Sequence, residues 1–251
     1  MAVKVFFDVE TTGVNFRQHS IIELSGAVEV DGQIKESFEF FVRPHAKAKI
    51  EEKALEINRT TVDQIKAFPE MKTVLREFKS MLKKYIDPYN PKQKAYLIGF
   101  NNRFFDDPFL RKFFELCGDD FIGSWFWADS IDVLCLAAEY LIDRRVYMPN
   151  FKLKRVAMEL GLFVEVDRLH AAGYDVELTR KVYRIVTGLE KDPSKAFYFY
   201  FHPESTAIWK TLEQDTTADG AEYEISFLEY KGLLVALGRN DGPGLINDEL
   251  F

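Results

Sequence analysis

Three apolar-rich runs open the chain, and the second and third meet at a two-residue turn. Val3–Val9 is a short apolar run ending in polar residues, which reads as a buried strand. Ile21–Val30 and Ile34–Val42 flank Asp31-Gly32, a pair that marks a β-hairpin. Strands joined by so tight a turn are antiparallel, so whatever sheet this chain builds has an antiparallel edge. Helix-type spacing follows from Ile50 to Ile65. It strengthens in Met71–Tyr85, where Val74, Phe78, Leu82 and Tyr85 recur at three- and four-residue steps, and Pro88 and Pro91 close the region. Ala95–Phe100 is a further buried strand. Pro108–Cys117, Ser130–Leu141, Phe151–Leu160 and Gly173–Leu189 read as helices, with Phe126 and Trp127 in a short strand before the second of these. Strands first paired and then alternating with helices imply an α/β fold, a mixed sheet with helices packed on its faces.

Beyond residue 190 the texture changes. Lys191-Asp192-Pro193-Ser194 resembles a linker, Phe197–Phe201 is a run of five aromatics, and Tyr223–Tyr230 and Leu233–Leu237 look like strands. The expected organisation is a main domain over 1–189 and a small β-containing C-terminal extension over 190–251. Charge divides at the same place. Residues 190–251 hold 12 acidic and 5 basic side chains, which accounts for the whole net charge of −7, and the rest of the chain is neutral. No apolar run is long enough to span a membrane. The start, Met1-Ala2-Val3-Lys4, runs straight into a strand without signal-peptide character. The two cysteines, Cys117 and Cys135, sit in apolar stretches and read as buried thiols rather than a disulfide or a zinc site. A soluble, cytoplasmic protein is the expectation.

Chemistry enters at Phe7-Asp8-Val9-Glu10-Thr11-Thr12-Gly13. Residues two apart on a strand share a face, so Asp8 and Glu10 project together just before a turn, and two such carboxylates repel unless a cation lies between them. Alone, such a pair is more often a solvated strand end. A second cluster, Asn101 to Leu110, follows a buried strand and opens a helix. Pro108 suits the first helical position, which makes Asp107 the expected cap and leaves Asp106 for other work. A third, His170-Ala171-Ala172-Gly173-Tyr174-Asp175, puts a histidine in a loop and a carboxylate in the first turn of the last helix.

Four carboxylates and one histidine in this order resemble the DEDDh exonucleases, whose relatives include the proofreading epsilon subunit of bacterial DNA polymerase III, ribonuclease T and the TREX nucleases. Asp8 and Glu10 match the first motif, Asp106 the second, and His170 and Asp175 the third. Ile21-Ile22-Glu23-Leu24 fits the family's second strand, and Asp129-Ser130 its Asp-Thr helix start. Phe151–Leu162 fits the helix before the histidine loop. Phe100 stands where many relatives carry His, and Ser130 where they carry Thr. The resemblance spans residues 3–189 and says nothing of the rest.

It implies a ribonuclease H-like fold with helices on both faces, and a 3′→5′ exonuclease acting on single-stranded ends, DNA in preference to RNA. It also implies two ions per site, Mg²⁺ or Mn²⁺, whose preference for hard oxygen donors suits carboxylates. In that scheme Asp8 bridges both ions. Glu10 and Asp175 hold the ion carrying the attacking water, Asp106 serves the other, and His170 is the general base. Thr11, Thr12 and Gly13 would contact the terminal nucleotide. Phe104 would stack on a base, with Phe109 more naturally core, and Arg103, Lys152, Lys154 and Arg155 would reach phosphates. The last residues, Asp248-Glu249-Leu250-Phe251, resemble the Leu-Phe ending of peptides that dock on bacterial sliding clamps, which suggests a clamp or polymerase partner for the tail. Two other function classes compete. One is a binding module that has lost catalysis. The other is a phosphodiesterase confined to short oligonucleotides.

Overall fold

The protein is described as a computed structural model covering residues 2–165 and 172–194. The expected His170 and the whole of 195–251, including the aromatic run, the two late strands and the Leu-Phe end, lie outside the described residues. By internal packing the chain forms two compact units, one of Met1–Val156 and Val164–Leu189, the other of Ala157–Phe163 and Glu190–Phe251.

The first unit is built on a five-stranded sheet. Its strands are β1 (Val3–Thr11), β2 (Ile21–Val30), β3 (Gln33–Phe41), β4 (Tyr96–Gly99) and β5 (Ile131–Asp132), in the order β3-β2-β1-β4-β5. The first three pair antiparallel, and β4 and β5 add in parallel beyond β1. The hairpin turn holds Asp31 at φ 51° and Gly32 at φ 81°, the left-handed pair that a two-residue turn of this twist demands.

Helices are α1 (Glu52–Ile57), α2 (Val62–Ala67), α3 (Met71–Leu82), α4 (Asp106–Leu116), α5 (Val133–Tyr140), α6 (Leu153–Glu159) and α7 (Ala172–Val186). Odd-numbered β1 residues Val5, Phe7 and Val9 bury against Phe78 of α3 and Leu110 and Phe113 of α4. The even-numbered face meets α7, where the ring of Phe6 lies edge-on to Tyr183 at 5.4 Å. Helices thus cover both faces, as the alternation implies.

Differences from the sequence reading are local. The run from Ile50 to Ile65 is two helices, α1 and α2. Arg59 adopts φ 51°, and Thr61 with Gln64 forms a reciprocal capping box that starts α2 afresh. The helix expected from Ser130 begins at Val133, because Ile131 and Asp132 pair with Ile98 and Gly99 of β4. Cys117 is half-buried and Cys135 is exposed, so only the first approaches the buried thiol expected of both. In the second unit, the described residues include Ser194, whose backbone and hydroxyl both donate to Asp192 Oδ1, at 2.9 and 2.6 Å. Among the described residues no helix is long and apolar enough to cross a membrane.

Candidate active site

The C-terminal half of β1 carries Asp8 and Glu10 on the face that α7 covers. Two elements bring carboxylates to them. Asp175 lies in the first turn of α7, and Asp106 opens α4 directly behind β1. Asp106 is buried, and its Oδ1 accepts from the backbone N–H of Val9 at 3.0 Å. That bond ties the helix start to the strand between Asp8 and Glu10. A further acid, Glu23, pairs directly across β2 from Glu10.

The electrostatics follow from this crowding. Asp8 is pushed well above the ordinary carboxylate range, first by burial and then by Asp106, Glu10, Asp175 and Glu23. Glu10 is pushed up to about 8 by burial, then by Glu23, Asp175 and Asp106. Burial also raises Asp106, against the opposing pull of the Val9 N–H. Every neighbour named here carries the same sign. Hard oxygen donors, mutually repelling and withdrawn from water, are the donor set a divalent cation would satisfy. Among the described residues, however, no three carboxylate, imidazole or thiol groups close into a set that could hold an ion.

A buried polar framework holds the segment that delivers Asp106. Asp107, expected as the cap of α4, instead accepts from Asn102 Nδ2 at 3.0 Å and from the hydroxyl of Ser130. Helix α4 starts two residues earlier than Pro108, at Asp106, and Phe105 precedes it without a side-chain cap. Asp132 is buried and does two jobs. It caps α5 through Leu134 N–H at 3.0 Å, and it receives the Asn101 N–H at 2.8 Å and the Arg103 N–H at 3.4 Å. The cap is therefore Asp132, not the Asp129-Ser130 pair, and Ser130 serves Asp107. Asn101 itself sits at φ 63°, a left-handed conformation that asparagine tolerates.

The sequence reading passed over Asp132, although a carboxylate two residues before Leu134 is an N-cap signal. It also passed over His19, whose buried ring fills the space beside Gly13. A Cβ at Gly13 would lie 2.5 Å from that ring. His19 Nε2 is 3.1 Å from Glu51 Oε1, and Nδ1 accepts from the Asn15 N–H at 3.0 Å.

Of the expected substrate contacts, Thr11 and Thr12 are buried with their hydroxyls engaged internally. Thr11 donates to Gly13 O at 2.8 Å and Thr12 to Lys49 O at 2.7 Å. Phe104 is 83% exposed beside the start of α4, whereas Phe109 is core. Arg103, Lys152 and Lys154 are exposed and Arg155 is half-buried.

Comparison with known proteins matches the chain to a family. The RNase_T family model, described as an exonuclease, matches residues 5–183. The PolC-type DNA polymerase III of Staphylococcus haemolyticus is 31% identical over 182 residues, covering 72% of this chain and 11% of the polymerase. The corresponding polymerase of Staphylococcus saprophyticus is 31% identical over 178 residues, covering 71% and 11%. The chain thus spans about a tenth of the length of these relatives. Among solved structures, E. coli exonuclease I in complex with a dT13 oligonucleotide superposes with TM-score 0.60 at 18% identity, over 80% of this chain and 44% of that one. A second structure of exonuclease I gives TM-score 0.61 at 18% identity, over 83% and 46%. These likenesses are of fold.

Proposed function

The chain belongs to the exonuclease family that its residues 5–183 match, and from that premise we propose that it removes nucleotides from the 3′ end of single-stranded nucleic acid, DNA in preference to RNA. The observation that carries the reading is the convergence of Asp8, Glu10, Asp106 and Asp175, remote in sequence, into one cluster of mutually repelling carboxylates. The names of its relatives, DNA polymerases, and the oligodeoxythymidine bound to a structural neighbour favour DNA.

Asp8, Glu10, Asp106 and Asp175 would hold two Mg²⁺ or Mn²⁺ ions. When bound, such ions neutralise the scissile phosphate and acidify water. The chain's own residues supply the rest. The Val9 N–H fixes Asp106 next to Asp8. The framework of Asp107, Asn102, Ser130 and Asp132 holds the segment that leads into α4, whose first residue is Asp106. His170 takes the proton of the attacking water, since an imidazole titrates near neutral pH. Thr11, Thr12 and Gly13 form the wall at which the strand ends, with the two hydroxyls keeping its shape. The exposed ring of Phe104 stacks on a terminal base, and Arg103 meets a phosphate.

The test is digestion of 5′-labelled DNA and RNA of matched sequence with Mg²⁺, Mn²⁺ or EDTA, beside His170→Ala. A ladder shrinking from the 3′ end, abolished by EDTA and slowed about 10²–10⁴-fold in the variant, is expected. An intact label under every condition would sink the reading.

A further inference from the structure

Away from the carboxylates, α3 presents a cationic face. Lys72, Arg76, Lys79 and Lys83 recur at four-, three- and four-residue steps, which aligns them along one side of the helix. Successive residues of this row are about 4.5–6 Å apart along the axis. They line a groove of about 990 Å³ whose rim includes Tyr89 and Phe121. The rings of Tyr89 and Phe121 are 90% and 72% exposed, while Trp125 is buried in the floor. Asp119, also lining the groove, is held by Lys79 at 2.5 Å. Among the described residues Lys72, Arg76 and Lys83 have no ion-pair partner.

Tyr89 and Phe121, exposed beside Lys72, Arg76 and Lys83, give the groove flat apolar faces and positive charge together. The pattern has a clear complement. Every base offers a flat face to a ring, and each phosphate offers a charge to a cation, without regard to sequence. The groove also sits well placed relative to the carboxylates. Helix α4 begins at Asp106 and ends at Leu116, and Cys117 and Gly118 immediately beyond it line the groove. The two regions therefore lie at opposite ends of one helix, about 16 Å long.

We propose that this groove is a second binding site for single-stranded nucleic acid, one that holds the strand away from the end being cut. The proposal rests on the nuclease reading for the identity of its ligand, and it predicts length dependence. A strand of a few nucleotides reaches only the carboxylates, and a longer one engages both regions. A groove of this kind retains the strand between successive cuts.

The test uses the full chain, a 5′-fluorescent single strand of about 30 nucleotides, long enough to exceed a single site, and a tetranucleotide. Binding is read by anisotropy in EDTA, and hydrolysis separately with Mg²⁺. The variants are Lys72→Glu/Arg76→Glu/Lys83→Glu and Tyr89→Ser/Phe121→Ser, all surface positions, with folding checked by circular dichroism. The charge variant is expected to reduce the slope of log affinity against log salt by about 2, since each lost phosphate contact contributes about 0.7. The aromatic variant is expected to bind the long strand about fivefold or more weakly. Tetranucleotide hydrolysis stays unchanged in both. Unchanged affinity and slope for the long strand would overturn the proposal, as would an equal loss for both substrates. Displacement of the long strand by oligoglutamate at equal charge would also overturn it, because the groove would then be a dock for acidic peptides. A wild-type chain that binds as proposed but hydrolyses neither substrate leaves the groove standing and removes the nuclease reading instead.

Discussion

The two ends of the β1–β2 ladder carry cross-strand pairs of opposite character. At one end Lys4 faces Glu29, and at the other Glu10 faces Glu23. Glu29 is 1% exposed, yet it is surrounded by charge of the other sign. Lys4 Nζ reaches it at 3.2 Å, Arg180 Nε at 2.8 Å and Arg184 Nη1 at 3.7 Å. Asp8 and Glu10 are driven upward instead, first by burial and then by Asp106, Asp175 and Glu23. Helix α7 serves both ends, with Asp175 in its first turn and Arg180 and Arg184 further along. Opposite charges across a ladder stabilise it, and like charges directly opposite weaken it. One end is therefore arranged for stability. The other keeps a repulsion that a fold tolerates when a function needs it.

The largest effect that would break this contrast is Asp8→Asn. It should abolish hydrolysis, a loss of about 10³-fold or more if the carboxylate acts only with the others. It should also stabilise the metal-free chain, because a buried repelling charge is gone. A gain of about 1 kcal/mol corresponds to about 2–4 °C in Tm for a unit of this size. Activity is read by strand digestion and Tm by calorimetry in EDTA. A variant that loses both activity and stability would mean that Asp8 is a structural residue.

The mirror experiment is Glu29→Gln. It leaves three cations around a neutral amide, though their partial exposure lets them turn toward water. The expected cost is about 3 kcal/mol of stability with the rate per folded molecule unchanged. Denaturant unfolding with a parallel activity assay checks it. Loss of turnover in the folded variant would mean that the two ends are coupled through α7.

Much of this contrast was beyond the reach of the sequence. The pairing of Asp8 with Glu10 is legible, because period-two alternation fixes a shared face. So is the hairpin, since Asp31-Gly32 admits few other conformations. Glu29 looked like any acid at a strand end, because its cations come from β1 and from a helix some 150 positions later. Asp107 is not the cap of α4 that its place before Pro108 suggests. A proline near a helix start fits more than one register, and only the tertiary partners Asn102 and Ser130 decide which carboxylate is occupied. The split of Ile50–Ile65 into two helices has the same origin. Leu55 and Ile65 keep helical spacing across the break, and the capping box at Thr61 and Gln64 was the overlooked signal. Asp132 was obscured by Asp129, since the choice between two candidate caps depends on β5 pairing with β4.

Metal and pH sharpen the comparison next. Glu10 is raised from the ordinary value 4.5 to about 8 in the folded chain, so between those values the folded state binds more protons than the unfolded one. Stability then falls as pH rises through this window, and Asp8 acts in the same direction. In EDTA, Tm should decline from pH 5 to pH 8, about the interval between the two Glu10 values. Adding Mg²⁺ at about a hundred times its dissociation constant should restore about 2.7 kcal/mol and flatten the decline. A metal-free Tm that rises over this interval would contradict the sign.

The smallest effect is the most discriminating. Glu23→Gln removes the carboxylate opposite Glu10 and leaves every expected ligand in place. Its Ser25 hydrogen bond, 2.9 Å to Glu23 Oε1, can be kept by an amide oxygen. If Glu23 only repels, Glu10 titrates lower, metal-free stability near neutral pH rises by about 0.2–1 kcal/mol, and half-maximal activity moves to lower pH. If Glu23 instead shares in attracting cations, the variant needs more Mg²⁺ for the same rate, and its pH profile moves little. A Mg²⁺ titration at two pH values separates these outcomes. The first would make the Glu10–Glu23 pair a simple strain on the ladder. The second would extend the functional cluster from β1 onto β2, and the division between the two ends of the ladder would then include both strands.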